Sequence, residues 1–486
     1  MDGSIGPRHA TRARFPGAIV VVVGLVRAGA AAAAGAGSGD VRRWCGAGRL
    51  RCCRLRAGQP VLVGRQHRPA AGVVGSRNGR VVVAVGLGCA PPAVGTAFRR
   101  PRGWGTAVVP SAWVVAEAAR SWPPLGGPWA PLGASQWNQP YTLASASVGG
   151  VWLTSFLVMA VNTAIVAGIV GRGLPRLVLL GCAVAGVGLG PLWYLVGPAP
   201  AAGPAIRVAL VQPGLIADSA ARQAASEELT AGLVGQRPDL VVWGESSVGH
   251  DLADHPGDLA RLADLSARVG ADLLVNVDAW APGGGIYKSS VLLGEHGVAG
   301  SDRKTRLVPF GEYVPLRRLV GWITQGTKAA AEDRRRGTGP VVLHAGPLAI
   351  GALISYETTF SDLARREALL GAELLAFQSS TSSFQGSWTQ PQLASQPAVR
   401  AVEVGRPAVH AGLSGDSSAF DARGRRLAWC PSDFAGVTVV SIELGSRDTL
   451  YRRLGDWVPV TALVVLAGYA GSAGLRRYRM RDTLRA

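Results

Sequence analysis

The chain has 486 residues, too many for one typical domain, and carries a formal net charge of +19. Apolar residues make up 48% of it and the mean hydropathy is +0.22, which is high for a wholly soluble protein and points to membrane segments. The charge excludes a nucleic-acid footprint: 17 Arg against two acids, Asp2 and Asp40, fall between Met1 and Trp104, and the rest has neither a basic helix nor aromatic–basic interleaving.

Residues 1–104 show neither helical nor strand periodicity over most of their length. Phe15–Gly35 is apolar but interrupted by Arg27, which costs roughly 2.5–3.5 kcal/mol at mid-bilayer, and Val81–Phe98 is broken by Pro91-Pro92. The basic Met1 end ahead of an apolar stretch has the order of a signal peptide, but no clean cleavage site follows. The bias to Arg, Gly, Ala and Cys marks the region as degenerate or translated out of its ancestral frame. Better membrane helices in another reading frame of the gene would support that reading, and none there would end it.

Residues 105–200 read as a transmembrane region. Val108–Trp122 is helix-like and ends at Pro123-Pro124, with Glu117 and Arg120 three apart so that they can pair. Leu125–Tyr141, rich in Gly, Pro and Trp, suits an interfacial loop. Val148–Val170 and Leu177–Val196 are each long enough to span a bilayer, and the loop between them carries Arg172 and Arg176. By the positive-inside rule that loop is cytoplasmic. Trp457–Gly474 is a further span, and the 457–486 segment ends in a basic tail of Arg476, Arg477, Arg479 and Arg481. Both signals put the intervening residues, 205–450, outside the cytoplasm.

Within 205–450, strand-length apolar runs alternate with helical stretches. The strands are expected at Ile206–Gln212, Asp239–Gly244, Asp272–Ala279, Ile286–Leu293, Val298–Asp302, Leu348–Ile354, Glu373–Phe377, Ala408–Leu413 and Val437–Ile442. The helices are expected at Ser219–Val234, Leu259–Val269, Phe360–Leu370 and Gln390–Val404, and Gly-Glu-His-Gly at 294–297 is a hairpin signal. This alternation implies an α/β fold with buried sheets covered by helices.

Three polar stretches carry candidate chemistry. Glu245 follows Leu240-Val241-Val242-Trp243, at a strand's carboxyl end. Lys304 lies just after a strand and leads into Pro309-Phe310-Gly311-Glu312-Tyr313-Val314-Pro315, a loop stiffened by two prolines. The run Leu348–Ile354 breaks abruptly at Ser355-Tyr356-Glu357, and a strand-like continuation would put Ser355 and Glu357 on one face. Of the cysteines Cys45, Cys52, Cys53, Cys89, Cys182 and Cys430, none occupies such a strand end. The Cys45…Cys52-Cys53 cluster lacks zinc spacing, and Cys182 in its apolar run reads as a packing residue.

Jointly these stretches resemble the nitrilase (carbon-nitrogen hydrolase) superfamily, and more closely its membrane branch, the apolipoprotein N-acyltransferases. Arg400-Ala401-Val402-Glu403-x-Gly405-Arg406-Pro407 and Ser147-Val148-Gly149-Gly150-Val151-Trp152 fit as well, and the resemblance covers about residues 106–475. It implies multi-pass membrane helices carrying an extracytoplasmic α-β-β-α sandwich in a bacterial plasma membrane. It also implies acyl transfer from a phospholipid to a diacylated lipoprotein, without metal or organic cofactor. By the same resemblance Glu245 is the general base, Lys304 the oxyanion cation and Ser355 the nucleophile, with Glu312, Tyr356 and Glu357 in support. Three positions depart: Ser355 stands where the family has Cys, Arg306 where His is usual, and Gln378–Ser383 where Asn-Asp-x-Trp-Phe is expected. A catalytically impaired homologue that only binds lipid or lipoprotein, and a membrane-tethered amidase using water, are the rival readings.

Overall fold

The computed structural model describes residues 105–170, 174–281, 284–315, 317 and 334–483. The readings made for residues 1–104 lie outside these, as does Arg172 of the basic loop.

Twelve strands form two six-stranded sheets. The first has the order β12-β1-β2-β3-β4-β5. Its strands are β1 (Ala205–Gln212), β2 (Leu240–Trp243), β3 (Asp272–Trp280), β4 (Ile286–Gly294), β5 (Gly297–Arg303) and β12 (Gly436–Glu443). The second has the order β11-β10-β9-β8-β7-β6. Its strands are β6 (Val342–Ala345), β7 (Leu348–Ile354), β8 (Leu374–Ser379), β9 (Ala408–Gly412), β10 (Ser417–Phe420) and β11 (Arg426–Cys430). β1, β2 and β3 run parallel, as do β7, β8 and β9. Each parallel set is therefore buried on both faces and reads as continuous apolar sequence.

Side-chain alternation builds the layers. Val208, Leu210, Val242 and Leu274 of the first sheet meet Ile350, Ala376, Val409 and Ala411 of the second in one inter-sheet core. Ala209, Val211, Val241 and Leu273 point the other way, packing with Leu262, Leu265 and Val269 of the helix Pro256–Val269. On the far side Leu353, Leu375 and Phe377 pack with Leu363, Ala364 and Ala368 of Ser361–Leu369 and with Ala401 and Val404 of Thr389–Val404. The result is an α-β-β-α sandwich. The hairpin signal at 294–297 is realised as the β4–β5 turn, with Gly294 opposite Gly297.

Three described helices are long and apolar enough to cross a membrane, with spans Ala146–Ile169, Arg176–Val196 and Trp457–Gly474. We label the helix Gly105–Arg120 α1, Ala146–Val170 α2, Leu174–Val196 α3, Ser219–Ala231 α4, Pro256–Val269 α5, Ser361–Leu369 α6, Thr389–Val404 α7 and Trp457–Thr483 α8. α3 exposes Leu177, Val178, Val184, Val187 and Leu195. Cys182 is exposed on the same helix, so it is not the packing residue its apolar setting suggests. Glu117 does not form the expected ion pair with Arg120. Its carboxylate accepts instead from Trp113 Nε1 (2.9 Å) and from the Leu132 N–H (2.6 Å), while Arg120 donates to Ala130 O (3.0 Å).

Two sequence motifs far apart in the chain meet where sandwich and membrane helices join. α2 breaks at Gly149 (φ −136°, ψ 24°) and Gly150 (φ 68°, ψ −174°). The break frees the Val151 N–H, which donates to the buried Glu403 Oε1 of α7 at 2.7 Å, a cap supplied from another element. Around it Trp152 Nε1 and the Tyr451 hydroxyl both donate to Asp456 Oδ1 at 2.9 Å, and Trp457 Nε1 donates to Val148 O at 3.0 Å. Gly150 occupies a backbone region essentially reserved for glycine, and a Cβ there would lie 2.6 Å from the Tyr451 ring. Gly150→Ala is expected to cost at least about 1–3 kcal/mol. Thermal unfolding in detergent should show this as a lowered midpoint.

Candidate active site

The sandwich brings three strand ends to one point. β2 ends at Trp243 and delivers Glu245 after Gly244. Gly244 is required there because a Cβ would lie 2.4 Å from the backbone nitrogen of Leu413 in the opposite sheet. β5 ends at Arg303 and delivers Lys304. β7 ends at Ile354, and Ser355 follows in the left-handed region (φ 54°). The chain then turns through a 3₁₀ segment, Ser355–Thr359, so the strand-like continuation expected for Ser355 and Glu357 does not occur. Among the described residues four non-glycines have positive φ: Arg237, Ser246, Phe310 and Ser355. Ser355 is itself a candidate site residue, and Ser246 and Phe310 lie within two residues of Glu245 and Glu312, a clustering of strain that marks functional sites.

Glu245 and Lys304 are buried, and Lys304 Nζ lies 3.4 Å from Glu245 Oε1 and 2.9 Å from Glu312 Oε1. Ser355 lies beside the Glu245 carboxylate, whose Oε2 accepts the Ser380 N–H at 3.0 Å. Burial works to raise the Glu245 carboxyl, but Lys304, Lys288, Ser355 and Ser380 together outweigh it and hold it down at about 2. Burial likewise opposes the charge on Lys304, and the carboxylates of Glu312 and Glu245 overcome it, holding the ammonium above its ordinary range. Glu245 is thus a carboxylate and Lys304 an ammonium.

The supporting residues hold the lysine loop. Glu312 Oε2 accepts the Val308 N–H at 2.8 Å. Glu357 accepts from the Thr305 N–H (2.7 Å), Thr305 Oγ1 (2.8 Å), the Arg306 N–H (2.9 Å) and the Ile354 N–H (3.0 Å), tying the loop after β5 to the turn after β7. Tyr356 is buried beside Ser355 and packs edge-to-face on Phe360, with ring centroids 4.9 Å apart. All six residues picked out from the sequence therefore lie at or directly behind one site. Arg306, in the place of the usual His, pairs with Asp362 at 2.8 Å.

Several neighbours escaped sequence reasoning. Lys288 of β4 also approaches Glu245 Oε1, at 3.5 Å. His410 of β9 lies beside Ser379, with Nε2 2.7 Å from Ser379 Oγ and Nδ1 2.9 Å from Asp416 O. Burial pushes the His410 imidazole down to about 4, so it is neutral, and its partner is Ser379 rather than Ser355. Gln378, in the segment that departs from the resemblance, bridges the sheets by donating to Trp243 O (2.9 Å) and Leu274 O (3.1 Å).

Behind Glu357, Asp302 and Glu367 line a small pocket, each with a buried oxygen lacking a hydrogen-bond partner. Burial, reinforced by Glu357, pushes Asp302 up to about 8. Burial, reinforced by Asp302 and Glu357, pushes Glu367 up to about 9. The native state therefore binds more protons than the unfolded chain between the ordinary carboxylate range and these values. The contribution of these two carboxyls to stability is therefore greatest in acid, falls as pH rises from about 4, and is lost above about 9. Asp302→Asn with Glu367→Gln is expected to flatten that alkaline decline in denaturation midpoints measured from pH 5 to pH 9.

Comparison with known proteins agrees with this fold. The carbon-nitrogen hydrolase family model matches residues 207–452, and that of the apolipoprotein N-acyltransferase N-terminal domain matches residues 79–164, beginning ahead of Thr106. The chain is 29% identical over 387 residues to the apolipoprotein N-acyltransferase of Geobacter metallireducens, covering 74% of this chain and 73% of that one. It is 30% identical over 397 residues to that of Sinorhizobium medicae, covering 76% and 74%. Among solved structures, an amidase from Nesterenkonia sp. aligns with a TM-score of 0.40 and 20% identity, over 54% of this chain and 97% of that one. By family model and by sequence, the chain belongs to the apolipoprotein N-acyltransferase family, the membrane branch of the carbon-nitrogen hydrolases.

Proposed function

We propose that the chain transfers a fatty acyl group from a membrane phospholipid, through an oxyester on Ser355, to the α-amino group of a lipoprotein's N-terminal diacylglyceryl-cysteine. The observation that carries this reading is the convergence of Glu245, Lys304 and Ser355 at the ends of β2, β5 and β7. In the first half-reaction Ser355 Oγ attacks the phospholipid ester carbonyl and its proton passes to Glu245. Lys304 stabilises the oxyanion, the ester C–O bond breaks, and the departing lysophospholipid oxygen takes the proton back. In the second half the neutral α-amine attacks the Ser355 ester and gives its proton to Glu245. Ser355 Oγ then leaves with that proton as the hydroxyl. Glu312, Glu357 and Tyr356 support by holding the lysine loop and the turn that carries the nucleophile.

The basic tail after Trp457–Gly474 and the Arg-bearing loop after α2 support a topology in which the 205–450 domain lies outside the cytoplasm of a bacterial cell. In this organisation 105–200 and 457–486 are the membrane regions.

One observation favours a second reading, an impaired homologue that binds lipid or lipoprotein without turnover. A carboxylate held at about 2 is a weak base for an alcohol. An amidase would instead form the Ser355 ester from an amide, with the amine leaving protonated, and pass the acyl group to water. Membranes carrying the natural chain, Ser355→Ala or Ser355→Cys, incubated with phospholipid and a diacylated lipopeptide, separate these by mass spectrometry of the products. The acyltransferase reading expects triacylated lipopeptide from the natural chain well above Ser355→Ala. Equal yields from those two with a gain in Ser355→Cys would establish the impaired homologue, and free fatty acid without lipopeptide product would establish hydrolysis.

A further inference from the structure

A second lysine reaches the base from a strand that the reaction scheme leaves unused. Lys288 lies in mid-β4, opposite Asp278 of β3, and is only 6% exposed. Its Nζ lies 2.8 Å from Asp278 Oδ1 and 3.5 Å from Glu245 Oε1, and it donates to Ser246 Oγ. Ser246, with φ 57°, is pinned further: its N–H donates to Asn276 Oδ1 at 2.8 Å and its carbonyl accepts from Arg222 Nε at 2.9 Å. A buried lysine needs one carboxylate for neutrality, and Asp278 would suffice. Lys288 nevertheless approaches a second carboxylate and fixes the turn that carries it.

The charged groups around this point come from every neighbouring element. Glu245 faces Lys288 from the end of β2 and Asp278 from β3. Lys304, with Glu312 and Glu357 acting on it, reaches the same oxygen of Glu245, Oε1. Arg334 lies 3.8 Å from Asp278, and Arg222 of α4 interacts with Asp278 electrostatically. Lys288 and Lys304 thus converge on one oxygen of Glu245, Oε1.

We propose that Lys288 is a positioning residue of the acyl-transfer site, a second ammonium that with Lys304 keeps Glu245 ionised and favours negative charge on the adjacent nucleophile. This rests on the reading of Ser355 as the nucleophile, but its test needs no turnover. A unit charge within ~10 Å at an effective dielectric of about 20 shifts a titration by about one pH unit.

The experiment uses the full chain in detergent with Ser355→Cys, following iodoacetamide alkylation of the introduced thiol against pH by peptide mass spectrometry. Alkylation is stoichiometric, so the result stands whether or not the protein transfers acyl groups. Adding Lys288→Met is expected to raise the alkylation midpoint by about one pH unit. Lys288→Arg should hold it near the parent value, and Asp278→Asn, which frees Lys288 from its neutralising partner, should lower it. An unchanged midpoint in a Lys288→Met protein that melts like its parent would overturn the proposal. So would an upward shift, or none, in Asp278→Asn, and that arm decides the matter if Lys288→Met does not fold.

Discussion

Ser355→Cys is expected to raise the acyl-transfer rate by roughly 10²–10⁴-fold, the range that general-base assistance ordinarily contributes. A free thiol is already a few per cent ionised at neutral pH, and two nearby ammoniums favour the thiolate further. A serine hydroxyl ordinarily depends on a well-matched base, usually histidine. Here the base beside Ser355 is Glu245, held at about 2. His410 is neutral and well placed to accept a proton, but it serves Ser379. The geometry is otherwise ready: Ser355 already occupies the left-handed turn and already meets Glu245, so the thiol needs no backbone change. Initial rates with a diacylated lipopeptide at fixed phospholipid check this.

Lys304→Met should be the most damaging single change in the site. It removes the oxyanion cation, worth on the order of 10²–10³ in rate, and leaves the carboxylates of Glu245 and Glu312 without their shared partner. Breaking a buried pair in this way costs about 3–5 kcal/mol. With one of its two ammoniums gone, burial weighs more heavily on Glu245, so the acid limb of the pH–rate profile should move upward. The Lys304→Met, Glu312→Gln double variant separates the two roles. It should regain part of the stability, because one stranded carboxylate is gone, and none of the activity. Rates in the Ser355→Cys background and thermal midpoints measured on the same samples read both.

Much of the fold was legible because burial on both faces leaves an unmistakable trace. Leu348–Ile354 is apolar throughout and forms β7 with those same bounds. Trp243-Gly244-Glu245 announced a strand end, and the glycines of 294–297 announced a hairpin. β10 left no such trace. Its Ser417 and Ser418 are buried as hydrogen-bond donors, Ser417 Oγ to Gln212 Oε1 and Ser418 Oγ to Ala394 O, both at 2.7 Å, so a buried strand reads as polar sequence. β6 and β11 are short, and β11 begins with exposed residues, which leaves no sustained pattern.

The six candidate site residues could be chosen because each sits at an abrupt change from apolar to polar sequence. The relation between Ser355 and Glu357 could not be read the same way. Period-two alternation assumes a continuing strand, and a left-handed residue followed by a 3₁₀ turn cancels it. Lys288 was invisible for another reason. A lysine within a strand of an antiparallel pair ordinarily faces solvent, and the end of β2 adds Glu245 to the Asp278 that β3 already sets opposite it. The Glu403 cap on α2 is likewise a contact across more than two hundred residues, which no local pattern encodes.

The most direct test of the central claim is peptide mapping of the natural chain after incubation with phospholipid and no acceptor. An acyl mass is expected on the peptide that contains Ser355, resistant to neutral hydroxylamine as an oxyester is, and discharged when diacylated lipopeptide is added. Triacylated product formed with no adduct at Ser355, or with the acyl group on another residue, would contradict it.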